Sequence, residues 1–231
     1  ILEYWKRIEE GEEVVGDKIK RLYKKLVDDI HDTEGRWMYS SKHGNHPIEF
    51  IESFCRHSKG KWAGQKIELE LWQKAGIAAA FGFVDRIDKK RKYQEVLWVV
   101  ARKNGKSTLA SGIALYLMVA DGEGGPEIYA AASKKDQAKI VWSDAKRMIK
   151  KSPHLSKIIK THVSDMISEF NDGVFTPLGR DSDTLDGLNV HGAMMDEIHA
   201  WKMMDLYDVI YDGTSSRENP MIFAITTAGT I

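Results

Sequence analysis

Thiol chemistry is nearly missing from this chain. Cys55 is the sole cysteine, which excludes an internal disulfide framework and fits a reducing compartment. It stands two residues before His57, but no CxxC and no paired histidines surround it. A zinc site is therefore not expected, and Cys55 reads as a small buried core residue. Neither sign of charge is in excess, with 34 Lys and Arg against 34 Asp and Glu. No global field draws such a chain to nucleic acid or membrane, so any DNA contact has to be local. The densest basic run is Arg86, Lys89, Lys90, Arg91 and Lys92, which reads either as such a contact or as a solvated turn. Long apolar runs are missing too: 96–101 and 113–120 fall far short of a membrane span, and no membrane association is expected. The residues from Ile1 onward do not read as a secretory leader, and none is expected. Both ends look cut, since 222–227 reads as a core strand.

What is present suffices for one large domain with a small appendage: 231 residues, 42% of them hydrophobic. The first part reads helical. Ile19, Leu22, Tyr23, Leu26, Val27 and Ile30 form one apolar stripe at helical spacing. Asn45-His46-Pro47 predicts a helix start with Pro47 at the first position, and 68–83 predicts a further helix. From Gln94 onward the pattern changes. Residues 95–101 form a short, nearly all-apolar run, expected for a strand buried on both faces. A helix over 105–119, a strand over 127–132 and a helix opened by a Ser133/Asp136 capping box follow. Asn171-Asp172-Gly173 signals a hairpin. Strands over 190–196 and 221–226 flank a helix over 202–211. Alternating strands and helices predict an α/β fold with a central, mainly parallel sheet flanked by helices, plus an N-terminal helical segment. There is no internal repeat.

Between the first strand and its helix lies Arg102-Lys103-Asn104-Gly105-Lys106-Ser107-Thr108. Backbone N–H groups of a tight turn and the positive end of the following helix can surround phosphate oxygens. Lys106 would reach the β and γ phosphates, and the Ser107 hydroxyl would ligate magnesium. The usual first glycine of this phosphate-binding loop (P-loop) is replaced by Val100. The strand before the loop and the helix after it still supply the context the motif requires.

Residues 192–197, Gly-Ala-Met-Met-Asp-Glu, end an apolar strand with two acids. In a P-loop enzyme the acid at this strand end, here Asp196, holds the metal shell. An adjacent acid, here Glu197, can orient or deprotonate the attacking water. A small-molecule kinase would not need Glu197.

Taken in order, Arg-Lys-Asn-Gly-Lys-Ser at 102–107, Met-Met-Asp-Glu-Ile-His at 194–199 and Thr-Thr-Ala-Gly at 226–229 resemble the ATPase motifs of tailed-phage terminase large subunits. Supporting stretches are Phe50-Ile51-Glu52, Leu71-Trp72-Gln73, Leu185-Asp186-Gly187-Leu188-Asn189 and Arg217-Glu218-Asn219-Pro220, so the likeness runs over about 48–231. The resemblance implies a P-loop ATPase using ATP and Mg2+, with an N-terminal segment or lid over 1–65 and the ATPase core over 66–231. Lys106 and Ser107 would take phosphates and magnesium, Asp196 the metal shell, and Glu197 the water. Thr226 and Thr227 resemble the coupling motif that senses the γ-phosphate, and Gln73 resembles the glutamine that reads adenine, or is an exposed helix residue. An arginine finger from a neighbouring subunit is implied, with Arg217 first, then Arg102 and Arg180; each also reads as a structural ion pair. His199 and the acids Asp205, Asp208 and Asp212 follow the carboxylate pair, and the acids read as a solvated helix face. The implied partners are double-stranded DNA, a portal protein, a small terminase subunit and copies of the chain in a ring. The implied setting is the host cytoplasm at the procapsid, with a nuclease domain further along the full protein. A cellular P-loop helicase or translocase is the alternative. A nucleotide-dependent scaffold is disfavoured by Glu197.

Overall fold

The computed structural model describes residues 1–179, 187–201 and 205–227. They cluster into two units, 1–49 with 68–93 and 50–67 with 94–231.

In the first unit, α1 (Leu2–Glu9) and α2 (Asp17–His31) precede β1 (Trp37–Tyr39), α3 (Ser41–Phe54, its residues from Phe50 on counted with the second unit), α4 (Leu71–Gly82) and β2 (Phe83–Asp85). Tyr4 and Tyr23 meet edge to face at 4.8 Å, and with Ile8, Leu26, Ala75 and Phe83 they make a small core. The stripe of α2 is only half used: Tyr23 and Leu26 are buried, Ile19 and Leu22 exposed. β1 and β2 pair antiparallel. The predicted helix start at Asn45 is displaced, because α3 begins at Ser41 and carries Pro47 inside it. The cause is Ser40, whose Oγ accepts the His43 N–H at 3.4 Å and meets His43 Nδ1 at 2.7 Å. That opens the helix ahead of the proline.

The basic run of this unit has internal work. Arg86 donates to the carbonyls of Gly35 and Asp32, at 2.6 and 2.8 Å. Lys89 donates to the Arg86 carbonyl at 2.6 Å, Lys92 pairs with Asp29 at 2.9 Å, and Arg91 is buried. These side chains brace the ribbon's turn, which disfavours the run as a DNA contact.

The second unit holds β3 (Glu95–Val99), α5 (Lys106–Val119), β4 (Glu127–Ala132), α6 (Lys135–Lys151), α7 (Leu155–Ile158), β5 (Ile159–Thr161), β6 (Met166–Ser168), β7 (Val174–Gly179), β8 (Val190–Asp196), α8 (Asp205–Asp212) and β9 (Met221–Thr226). Its sheet runs β3-β9-β8-β4-β7-β6-β5. The first five strands are mutually parallel, and β6 and β5 complete the sheet antiparallel. The hairpin signalled by Asn171-Asp172-Gly173 joins β6 to β7, with Asp172 at φ 58°.

Residues 109–118 of α5 are all buried, as befits a helix apolar on every side. Gly192 lets β8 approach it, since a Cβ there would stand 2.8 Å from Leu117 Cδ1. Alternation then turns Ala193 and Met195 to the other face, where Leu206 and Ile210 of α8 pack. Helices therefore cover both faces of the central strands.

Three local readings change. β3 is not buried on both faces: Glu95, Leu97 and Val99 are exposed. It lies at the sheet edge, pairs with β9 alone among the described residues, and uses only the side that sets Trp98 against Phe223. Ser133 forms no capping box; α6 has Lys134 at its N-cap without a side-chain cap, and the Ser133 hydroxyl donates to Gln137. The helix predicted over 202–211 is observed as Asp205–Asp212, its first three positions lying outside the described residues. Cys55 is fully buried, which pushes its thiol up to about 12 and leaves it without thiolate reactivity. Among the described residues no helix is long and apolar enough to cross a membrane.

Candidate active site

Because β3, β9 and β8 are parallel, their C-terminal ends meet at one edge, where α/β sheets hold ligands. The phosphate loop leaves β3 there. Val100 N–H donates to the Thr226 carbonyl at 2.9 Å, and the chain then turns through Lys103 at φ 68° and Gly105 at φ 75°. A left-handed turn suits Gly105, which starts α5 with no side chain capping it. The N-cap position therefore offers no side chain to the first N–H groups of α5. Asn104 braces the loop by donating to the Ala101 carbonyl at 3.2 Å. Arg102, Lys103 and Asn104 are exposed, while Ser107 and Thr108 are half-buried in the first turn.

Lys106 points across to β8, its Nζ 2.6 Å from Glu197 Oε1. The other carboxylate oxygen, Oε2, accepts the Thr227 hydroxyl at 3.2 Å and stands 3.2 Å from His199 Nδ1. His199 Nδ1 also meets Thr226 Oγ1 at 2.6 Å. Glu197 itself adopts φ 50° and opens the 3-10 turn Ile198–Ala200. Its N–H donates to the Ile225 carbonyl and to Asp196 Oδ1, both at 2.9 Å. Lys106, Asp196, Glu197, Thr226 and Thr227 are thus brought together from two strand ends and one helix start.

The two acids differ electrostatically. Burial pushes the Asp196 carboxyl above its ordinary value, against the pull of Lys106. Burial would push Glu197 up as well, but the Lys106 ammonium and the Thr227 hydroxyl overrule it and hold that carboxyl below the usual range. At neutral pH Glu197 is therefore an ionised proton acceptor.

An uncapped helix start, a lysine at it, a hydroxyl in the first turn and a desolvated aspartate fit a polyphosphate with a divalent cation. Ser107 and Asp196 are the residues that would hold the cation. Among the described residues no group of three His, Cys, Asp or Glu could hold a metal by itself.

The sequence alone gives His199 no role. Its place two residues after Glu197 was the only signal, and it became informative once the chain turned back toward Thr226. Gln73 belongs to the first unit. It is buried there as the third-position partner of a capping box, with Oε1 accepting the Glu70 N–H at 2.9 Å. Asp205, Asp208 and Asp212 are exposed along α8. Arg180 and the pair Ala228-Gly229 lie outside the described residues.

Arg217 is not brought to this site. It precedes β9 and so sits at the opposite end of the sheet, a strand length of about 20 Å away. Its guanidinium donates to Glu123 Oε1 at 2.8 Å and to the carbonyls of Gly124 and Gly125 at 3.1 and 2.8 Å. A finger at this position would first have to give up all three bonds. Arg217→Ala strands the Glu123 carboxylate and the turn's carbonyls, so a stability loss of about 2 kcal/mol is expected in urea titration. A loss below a few tenths would show that the clamp is idle.

A P-loop ATPase is the class this sheet order, loop and carboxylate pair define. Comparison with known proteins narrows it. Residues 71–231 match the profile of the family described as the terminase large subunit, ATPase domain. The chain belongs to that family. The large terminase subunit of Enterobacteria phage HK97 is 30% identical over 189 residues, covering 80% of this chain and 36% of that protein. The crystal structure of the HK97 bacteriophage large terminase aligns with TM-score 0.69 at 28% identity, over 79% of this chain and 37% of that one. The chain thus spans just over a third of the length of these relatives. The cellular helicase alternative is not favoured by these matches.

Proposed function

We propose that this chain is the ATP-hydrolysing motor of a viral terminase large subunit that drives double-stranded DNA into a procapsid. The observation that carries the reading is the 2.6 Å contact between Lys106 and Glu197 at the uncapped start of α5. It joins a phosphate-binding cation to a proton-accepting carboxylate.

Nucleotide phosphates would compete with Glu197 for the Lys106 ammonium. When they take it, Glu197 is left facing the γ-phosphate with its proton-accepting oxygens free of the lysine. A water there gives its proton to the Glu197 carboxylate while its oxygen bonds to the γ-phosphorus. The bond to the bridging oxygen breaks, leaving ADP and phosphate. Mg2+, held by Ser107 and Asp196, would supply positive charge to the phosphate oxygens. Thr226 and Thr227, tied through His199 and Glu197, would feel the loss of the γ-phosphate and pass it to β9. Gln73 is proposed to contact adenine with the amide N–H groups left over from its capping bond.

Residues 66–231 are proposed as the ATPase core, 1–65 as a lid-forming segment, and a nuclease domain elsewhere in the longer protein. Portal protein, small terminase subunit and a ring of copies are the proposed partners, in the host cytoplasm at the procapsid. With Arg217 clamped in its own chain, the exposed Arg102 becomes the first candidate for a finger acting in trans. In a mixture of Arg102→Ala and Glu197→Gln subunits, some interfaces pair an intact Glu197 with an intact arginine, so turnover should exceed that of either alone under assembly conditions. A mixture as inactive as its parts removes Arg102 from that role. For the motor reading, the full-length protein carrying Glu197→Gln should engage procapsid and DNA yet protect no DNA from nuclease. Normal protection by that variant would defeat it.

A further inference from the structure

The chain's balanced charge hides a segregated surface in its second unit. Residues 53–67 contain four Lys or Arg and no acid, and 145–162 contain six and no acid. Folding puts the two stretches side by side. Ser58 donates to Asp144 Oδ1 at 3.1 Å, Lys59 Nζ lies 3.5 Å from the same atom, and the Phe54 and His154 rings meet at 5.6 Å. Asp144 is buried and also pairs with Arg147, so one hidden carboxylate anchors two cations and the surface remains positive.

The first stretch is a small closed loop. Arg56 bridges to Lys66, the His57 N–H donates to the Gln65 carbonyl at 3.0 Å, and Gly60 and Gly64 take φ of 76° and 86° to turn it. At its tip Trp62 is 52% exposed between exposed lysines, with Lys61 Nζ over its ring at 4.8 Å. Beside it, Arg147, Lys150 and Lys151 line one exposed face of α6, at i, i+3 and i+4, opposite the buried Trp142, Ala145, Met148 and Ile149. Lys157, within α7, is exposed as well.

We infer that the 56–66 loop and the C-terminal half of α6 form a docking surface for the phosphate backbone of duplex DNA. Two acid-free basic rows match two lines of phosphates, and an exposed indole flanked by lysines can pack on sugar or base edges while they hold the backbone. No base-reading group is needed, so the contact is independent of sequence. This rests on the motor reading for the identity of the polyanion. The surface supplies a place to grip DNA that the 86–92 run does not.

The test uses the 231-residue chain, a short labelled duplex of arbitrary sequence, and anisotropy across a salt series. Two variants alter the surface at exposed positions, Lys150→Glu/Lys151→Glu and Lys61→Glu/Trp62→Ala. A control, Lys18→Glu/Lys20→Glu, makes the same charge change as the first on exposed positions of α2. The expected result is a Kd weaker by about tenfold or more for the surface variants, with the salt slope of the α6 variant falling by about 2. The control should bind as the unaltered chain does. Melting temperature checks that each variant is folded, and Lys106-dependent nucleotide binding reports the motor reading separately. If nucleotide binds and the surface variants hold duplex as tightly as the control, the surface inference is overturned and the motor reading stands. If Lys106 proves irrelevant to nucleotide while the surface variants alone lose duplex, the motor reading falls and the surface survives. No duplex binding by the unaltered chain, or binding of anionic vesicles in its place, also overturns the inference.

Discussion

Glu197→Gln should bind nucleotide and fail to hydrolyse it, with turnover falling by a factor on the order of 10² or more. The amide keeps the shape of the side chain and can still accept the Thr227 hydroxyl, but it has no basic oxygen for a proton. It also cannot hold Lys106 as an ion pair, and the lysine released from that 2.6 Å contact is available to phosphates. Nucleotide affinity should therefore hold steady or tighten, while a structural lesion would weaken both properties together. Calorimetry for binding and phosphate release under single-turnover conditions separate the two. Near-normal turnover in the folded variant would move the proton acceptor elsewhere.

Lys106→Ala should weaken nucleotide binding by at least about tenfold, the worth of one charge-assisted hydrogen bond to phosphate. The fold should survive, because the side chain leaves no apolar cavity behind. Its loss has a second signature. In the intact chain the ammonium holds the Glu197 carboxyl below its ordinary range. A carboxyl depressed in the folded state contributes stability above the unfolded value, and that contribution disappears as pH falls through the folded value. The melting difference between the intact chain and Lys106→Ala should thus be present near neutrality and shrink as pH drops below the usual carboxylate range. A difference that grows on acidification, or an unchanged nucleotide affinity, would refute the assignment of Lys106.

The sequence was most legible where chemistry and topology impose the same residues. Gly105-Lys106-Ser107 had to follow a strand and open a helix, and Asp196-Glu197 had to end one. Once the sheet is parallel, both motifs fall at the same edge. Legibility failed where a side chain's partner comes from far along the chain. The apolar run 95–101 does not say how many neighbours its strand has, and β3 turned out to be an edge. Arg217 lies close to the last strand in sequence, but nothing local reveals that Glu123 and two carbonyls await it. The alternative of Gln73 as an exposed helix residue fails, because Glu70, three positions earlier, offers the N–H that its buried side chain accepts. The basic surface of 56–66 and α6 was invisible for the same reason, its halves being some ninety positions apart. Asp144, which ties them, reads in the sequence as one more helix acid.

Glu197 occupies a left-handed backbone conformation that few side chains tolerate, at a cost of order 1–3 kcal/mol. Glycine would sit there without that strain, though it would also forfeit the Lys106 ion pair. A glutamate here makes this position a point where backbone comfort and turnover pull in opposite directions. Directed evolution of this protein toward heat resistance, if activity were left unscreened, would be expected to lose the ATPase site wherever relief of that strain outweighs the ion pair. Consensus-style stabilisation therefore has to be steered away from residue 197.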